Sequence, residues 1–391
     1  MTFSTLKFVA KTHIGRGALS QLVNEMEQFQ ARKVLLITDE VLHEIGLTQK
    51  IIEPLTNEGY DVAVFTKVIP EPPVVLADEI VQYMKNHQFD AVIGLGGGSA
   101  LDLAKLAAVL VHHEGHTMDY LNLTQKREIT EKGLPKILIP TTSGTGSEVT
   151  NIAVLSLGNT KDVVVHDHLL ADVAIVDPVL TLTMPKNLTV ATGVDALTHA
   201  IEAYLSNEAT PATDALALEA VKLIGRSLKK AAENGNDELA KEDMSYGSYL
   251  AGQAFFNAGV GGVHALAYPL GGQFNIPHGE SNAVLLIYVL QHIRGSCREK
   301  MSVLYKALTG DEIMLNVEDA SVQFIRAVER LLTEIEAPLS LQVFDIPKIA
   351  IEQLTTDALK QKRLLARSPM PLGALDIQVI YEAAYEGKLV K

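Results

Sequence analysis

Cysteine is almost missing from this 391-residue sequence: Cys297 stands alone. That excludes an internal disulfide and every CxxC or Cys/His zinc-ribbon spacing, and it points to a reducing, cytoplasmic setting. Cys297, between Ser296 and Arg298 with no activating neighbour in sequence, is assigned a structural role. Basic residues are also short, with 33 Lys plus Arg against 47 Asp plus Glu and a formal charge of −14. Without a Lys/Arg-rich run, this balance repels phosphate backbones and anionic headgroups and speaks against nucleic acid or membrane partners. No window approaches the roughly 18 apolar residues that cross a bilayer, and the opening MTFSTLKFVAKTHIGRG lacks the apolar stretch of a signal peptide. Internal repeats and low-complexity tracts are missing too.

What is present is a globular chain. Hydrophobic residues make up 47% and charged residues 20%, enough apolar surface to offset the entropy of ordering. In the first part, KVLLIT (33–38), DVAVF (61–65), DAVIGL (90–95), KILIP (136–140) and VAIV (173–176) are continuous apolar runs, as strands covered on both faces require. Segments of helical spacing, such as 41–57 and 75–88, lie between them. The βαβα pattern implies a mainly parallel sheet with helices on both sides. After Met184-Pro185 the strand signals fade and Ala/Leu-rich stretches dominate, at 188–206, 211–234, 238–257 and 318–336. The expectation is an α/β domain over 1–185 and an all-helical domain over 186–391.

Chemistry-bearing residues sit at strand ends. DAVIGL runs into Gly96-Gly97-Gly98-Ser99 and then a helical segment. Such a turn lets backbone N–H groups and the positive end of a helix meet a phosphate, although the spacing is not GxGxxG. A second loop, Pro140-Thr141-Thr142-Ser143-Gly144-Thr145-Gly146-Ser147-Glu148, follows another buried strand and should face the same crevice. Asp39 ends the first strand; it reads equally as an acceptor for a ribose diol, favouring NAD over NADP, or as a helix N-cap.

In GVDALTHAIEAY, Asp195 and His199 are one helical turn apart among apolar or small residues, which suggests burial, and buried charge demands a partner. His264 and His278, each in a Gly/Pro-interrupted apolar stretch, are candidates to complete a site for a divalent Zn or Fe. His112, His113 and His116 instead cluster where a helix should end, and positive character is favourable there. Lys and Arg are absent from 187–221 and again from 242–293. A pocket lined by these segments suits a small, largely neutral molecule, unless the first domain lends a cation such as Lys161.

Taken in order, GGGSALDLAK, PTTSGTGSE, GVDALTHAIEAY, VHALAYPLGG and IPHGESNA resemble the motifs of the iron-containing (group III) alcohol dehydrogenase family across essentially the whole chain. The resemblance implies the dehydroquinate synthase-like architecture: an N-terminal dinucleotide-binding domain and a helical metal-binding domain with a cleft between them. It implies Asp195, His199, His264 and His278 as metal ligands, with Fe(II) the first choice and Zn(II) the second. It further implies NAD contacts from Asp39, Gly97, Gly98, Ser99, Asp102, Thr141, Thr142, Thr145 and Lys161, and a homodimer or larger homo-oligomer. One position departs from the family pattern: Tyr268 stands where many members carry a further histidine, four residues after the third ligand. A phenol titrating near 10 is a poorer proton shuttle than an imidazole, so Tyr268 is either a catalytic hydrogen-bond donor or a packing aromatic.

The function that follows is metal-assisted hydride transfer between NAD(H) and a small primary alcohol or aldehyde. The competing readings are a glycerol dehydrogenase-like polyol enzyme, a 3-dehydroquinate synthase-like lyase using NAD transiently, and a non-catalytic scaffold. The cation-free stretches argue against the phosphorylated acid that such a lyase handles.

Overall fold

The computed structural model describes residues 3–158 and 160–389. The chain forms two compact units, Phe8–Thr183 and the rest.

The first unit is built on six parallel strands. Short β1 (Lys11–Ile14) precedes α1 (Leu22–Gln28), β2 (Lys33–Asp39), α2 (Glu40–Glu44), α3 (Gln49–Asn57) and β3 (Asp61–Val68). Then follow α4 (Val74–His87), β4 (Ala91–Gly96), α5 (Gly98–Leu110), β5 (Lys136–Pro140), the hairpin β6 (Ile152–Leu157) and β7 (Thr160–Val165), and β8 (Val173–Val176). The sheet order is β1-β8-β5-β4-β2-β3. All five apolar runs of the sequence are strands. Those in the middle, β4, β5 and β8, are buried along their whole length, because helices on both faces leave no side for water.

Strand order reverses beside β2, with β3 on one side and β4, β5 and β8 on the other. The pairings Ile37 with Gly94 and Gly96 with Pro140 bring the carboxyl ends of β2, β4 and β5 level. Such a switch point is where open α/β sheets hold ligands.

Three local features differ from the sequence expectation. The 41–57 segment is two helices, because Gly46, at φ 78°, takes the left-handed conformation that ends α2. The sequence expectation also leaves out β1 and the β6–β7 hairpin: β1 carries no continuous apolar run, and those of the hairpin, 152–155 and 163–165, are short. β6 alternates half-buried and buried residues, so its signal is weaker. His113 is not a cation at a helix end: its Nδ1 bonds Val109 O at 2.9 Å while Nε2 accepts from Thr130 N at 3.0 Å, the pattern of a neutral ring.

The second unit is helical, as the sequence indicates. α6 (Lys186–Leu205), α7 (Pro211–Glu233) and α8 (Glu238–Ala258) lead into α9 (Gly262–Phe274) and α10 (His278–Ile293). Five further helices follow: α11 (Arg298–Thr309), α12 (Val317–Glu334), α13 (Ala350–Ala358), α14 (Lys362–Leu365) and α15 (Ala374–Glu386). From Gly193 to Leu205 every residue of α6 is buried, so this helix runs through the core with no solvated stripe. Thr210 and Asp237 cap α7 and α8. Cys297 is buried against Ile293 O, and burial pushes its thiol up to about 12, which makes it chemically inert. Among the described residues no helix is long and apolar enough to cross a membrane.

Candidate functional site

The helical unit gathers four donors. Asp195 and His199 leave one face of α6, His264 stands in the first turn of α9, and His278 opens α10 directly after Pro277. One donor atom from each lies within 4.8 Å of all the others. Asp195 Oδ1 is the focus: the Nε2 atoms of His199, His264 and His278 lie 3.7, 3.8 and 3.6 Å from it. Asp195, His199 and His264 are buried, while the His278 side chain keeps 29% exposure, so the cluster opens on that side. The His199 ring stacks between Phe255, at 4.2 Å, and His264, at 4.7 Å, which fixes its plane.

Burial alone would raise the Asp195 carboxyl. The three imidazoles and the Asn282 amide outweigh it and hold Asp195 below the ordinary carboxylate range. Asn282 donates from Nδ2 to Asp195 Oδ1 at 2.8 Å, while its own buried Oδ1 has no partner among the described residues. One carboxylate and three imidazoles, closely spaced and mostly dry, fit a divalent cation of the Fe or Zn kind. Among the described residues, no other group of three or more His, Cys, Asp or Glu side chains meets the spacing for a metal.

Backbone approach explains the residue after His278. A β-carbon on Gly279 would lie 2.1 Å from Ala191 O, so α10 reaches α6 here only because the side chain is hydrogen. Tyr268, one turn beyond His264 on α9, sets its ring centroid 5.9 Å from that of His278, on the open side of the cluster.

Asn282 and Glu202 are neighbours of the four donors that sequence reasoning missed. Glu202 accepts from His264 Nδ1 at 2.6 Å. Both follow one of the four donors at helical spacing, Glu202 three residues after His199 and Asn282 four after His278, and that spacing was the available signal.

The α/β unit assembles the second set of residues around the strand switch point. Gly97 caps α5 without a side chain, leaving the first N–H groups of that helix open to an anion. The second loop lies against the glycine turn: Thr141 N donates to Gly96 O at 3.0 Å, and Thr142 borders Gly97. A β-carbon on Gly98 would come within 2.8 Å of Thr145. Asp39 is the helix N-cap of the sequence reading: Oδ1 caps α2 by accepting from Leu42 N at 2.9 Å, while Oδ2 lies on the Gly96 side of the switch point.

Asp102 sits behind the loops, with both oxygens engaged inside the protein. Oδ1 takes the Ser147 hydroxyl at 2.5 Å and the Lys105 ammonium at 2.8 Å, and Oδ2 takes Val154 N at 2.9 Å. It braces α5 against the second loop and β6. Lys161 on β7 pairs with Glu71 at 2.6 Å, and Glu71 N in turn donates to Ser99 Oγ at 3.2 Å, so this cation borders the glycine turn.

Glu148 closes the second loop and is buried. Its carboxyl is pushed up to about 7 by burial, against the pull of its backbone N–H and the Lys105 charge. A raised carboxyl favours folding while neutral: that stabilisation is complete below the unfolded value of 4.5 and is lost as pH rises through about 7. Glu148→Gln, neutral at every pH, is therefore expected to gain on the wild type by roughly 3 kcal/mol between these limits. Urea unfolding at pH 4.5 and pH 8 measures the gap, and a gap that does not change with pH would contradict this account.

Two family models match the chain. One described as iron-containing alcohol dehydrogenase covers residues 10–178, and one described as Fe-containing alcohol dehydrogenase family, C-terminal, covers residues 189–385. Long-chain-alcohol dehydrogenase 1 of Geobacillus thermodenitrificans is 57% identical over 391 residues, spanning 100% of this chain and 99% of its own. The NAD-dependent methanol dehydrogenase of Bacillus methanolicus is 36% identical over 347 residues, 88% of this chain and 90% of its own. Among solved structures, a 1,3-propanediol oxidoreductase superposes with a TM-score of 0.94 at 34% identity, covering 98% of this chain and 100% of that one.

Proposed function

The chain belongs to the iron-containing alcohol dehydrogenase family and is a metal-dependent alcohol oxidoreductase, and from that premise we propose that it transfers hydride between NAD(H) and primary alcohols carrying a long neutral tail. The observation that carries this reading is the convergence of three imidazoles on the buried Asp195 carboxylate. Asp195, His199, His264 and His278 would hold one divalent cation, Fe(II) before Zn(II). Such an ion supplies Lewis acidity, lowering the pKa of an alcohol hydroxyl or polarising an aldehyde carbonyl. The balance of the step is alcohol plus NAD+ giving aldehyde, NADH and a proton.

The chain's own residues do the placing. The α5 N-terminus, with Gly97, Gly98 and Ser99, would take the cofactor pyrophosphate, with Thr141, Thr142 and Thr145 supplying hydroxyls and backbone around it. The free Oδ2 of Asp39 would accept from a ribose diol, and Lys161 would sit beside the phosphates with its charge shared with Glu71. Asp102 keeps the two loops together. Tyr268, next to the most exposed ligand, would donate a hydrogen bond to the substrate oxygen, while the proton leaves to solvent.

Substrate class rests on two supports. The relative named for long-chain alcohols shares 57% identity, against 36% for the one named for methanol. The helical unit offers no Lys or Arg from 187 to 221 or from 242 to 293. The single buried cysteine supports a cytoplasmic enzyme, and family membership supports a homo-oligomer. The polyol, lyase and scaffold readings are not favoured by relatives that carry alcohol dehydrogenase names.

NADH formation from a series of primary alcohols, methanol to hexadecanol with 1,3-propanediol included, tests the proposal. Each tail methylene that becomes buried contributes about 0.8 kcal/mol, so kcat/KM should climb roughly fourfold per carbon until the tail is covered. Preference for methanol or the diol would refute the long-tail assignment, and no NADH from any alcohol would refute the activity.

Cofactor choice has its own test. In Asp39→Gly the carboxylate that repels a 2′-phosphate is gone, so NADP use relative to NAD is expected to rise by about 10-fold. An unchanged ratio would remove Asp39 from the cofactor site.

A further inference from the structure

α6 carries a third acidic or imidazole group on the same stripe. Asp195, His199 and Glu202 follow one another at i, i+4 and i+7, so Glu202 stands one turn further along the face that presents the two ligands. Its side chain is 7% exposed and reaches α9. There Oε1 accepts from Val263 N at 2.6 Å, and Oε2 accepts from His264 Nδ1 at 2.6 Å with His264 N 3.4 Å away. These two backbone N–H groups lie in the first turn of α9, whose N-cap, Gly261, has no side chain to satisfy them. One carboxylate from another helix therefore caps α9 and grips the ring of a metal-ligand candidate at once.

The ring contact decides a tautomer. A carboxylate accepts and cannot donate, so the neutral His264 ring carries its proton on Nδ1 and keeps the lone pair on Nε2, the atom that faces Asp195 Oδ1 and the Asn282 amide. We infer that Glu202 is the positioning residue of the metal centre: through His264 it selects the tautomer, sets the ring plane and strengthens the Nε2 donor, and so governs how tightly and in what ligand field the cation is held. This rests on the metal site proposed above. It differs from a plain capping role, which would steady α9 and leave metal binding as it was.

Cobalt(II) separates the two roles, because its visible absorption reports the donor set directly. The metal-free full-length wild type, Glu202→Gln and Glu202→Asp are titrated with Co(II) in competition with a chromophoric chelator, alongside their thermal unfolding. Glutamine has one acceptor and one donor group, so it must present N–H to either Val263 N–H or His264 Nδ1–H. Glu202→Gln is expected to bind Co(II) about 10- to 100-fold more weakly with shifted bands. Should it fail to fold, Glu202→Asp, which keeps both oxygens on a shorter reach, is judged by the same two readings. A lowered unfolding temperature with wild-type affinity and bands would leave Glu202 as a helix cap and overturn the inference. No Co(II) binding by the wild type would instead overturn the metal site itself, and this assignment with it.

Discussion

Asp195→Ala is expected to lower kcat/KM by at least about 10³-fold and to purify with little bound metal. The three Nε2 atoms, 3.6 to 3.8 Å from Asp195 Oδ1, share no other anionic focus among the cluster's own donors. Without that carboxylate a divalent cation would sit in a dry pocket against three neutral rings, its full charge uncompensated. Breaking one partner of a buried charged set costs about 3–5 kcal/mol, enough by itself for a loss of metal affinity of about 10²-fold to several thousandfold. The comparison that makes this decisive is a chelator-treated wild type: its activity should vanish and return on addition of Fe(II) or Zn(II), whereas the variant should stay inactive. Elemental analysis and steady-state rates check both halves. Wild-type metal content with more than about a tenth of wild-type activity would show that the centre has been assigned to the wrong residues.

Gly279→Ala has the next largest expected effect, though residue 279 ligates nothing. The new methyl would lie 2.1 Å from Ala191 O and 2.6 Å from Ala191 C, and both are backbone atoms inside α6 that no rotamer change can clear. The helices must separate, and His278, the residue before, must move with α10. Overpacking of this kind costs about 3 kcal/mol or more, which for a unit of this size lowers the unfolding temperature by roughly 6–12 °C. A ligand displaced by an ångström costs a further factor of about 10² in rate. Gly295→Ala is the control, because a β-carbon there meets nothing within 4 Å. Calorimetry and metal content are the measurements; a Gly279→Ala protein as stable and as metal-replete as Gly295→Ala would refute the close-approach argument.

The two-part architecture was legible because burial on both faces forces continuous apolar strands, and because α6, buried all round from Gly193 to Leu205, cannot be mistaken for a surface helix. Asp195 and His199 were legible from one turn's spacing. His264 and His278 were candidates to complete the pair from their Gly/Pro-interrupted apolar surroundings, and the motif order pointed to the same two residues. Less visible was anything fixed by a partner far along the chain. Glu202 meets His264 across 62 residues and Asn282 meets Asp195 across 87, so the helical spacing of each pointed at its own helix and never at its partner. Lys161 was read as a cation the first domain could lend, and its ion pair with Glu71, ninety residues earlier, was not visible in the sequence. On β7, which carries it, Lys161 and Asp162 precede an apolar stretch of only three residues, 163–165, a short strand signal.

In the role proposed for it at the cofactor ribose, Asp39 narrows the evolutionary routes by which this protein could change dinucleotide. Its two oxygens have separate duties, one ending a helix and one facing the switch point, so selection cannot retune the second without touching the first. Serine, threonine or asparagine would discard the negative charge and still cap α2; glycine would forfeit a few tenths of a kcal/mol; alanine or leucine would forfeit about 1 kcal/mol for the same electrostatic change. Descendants adapted to a phosphorylated cofactor should therefore be found among a handful of small polar or glycine alleles at this one codon.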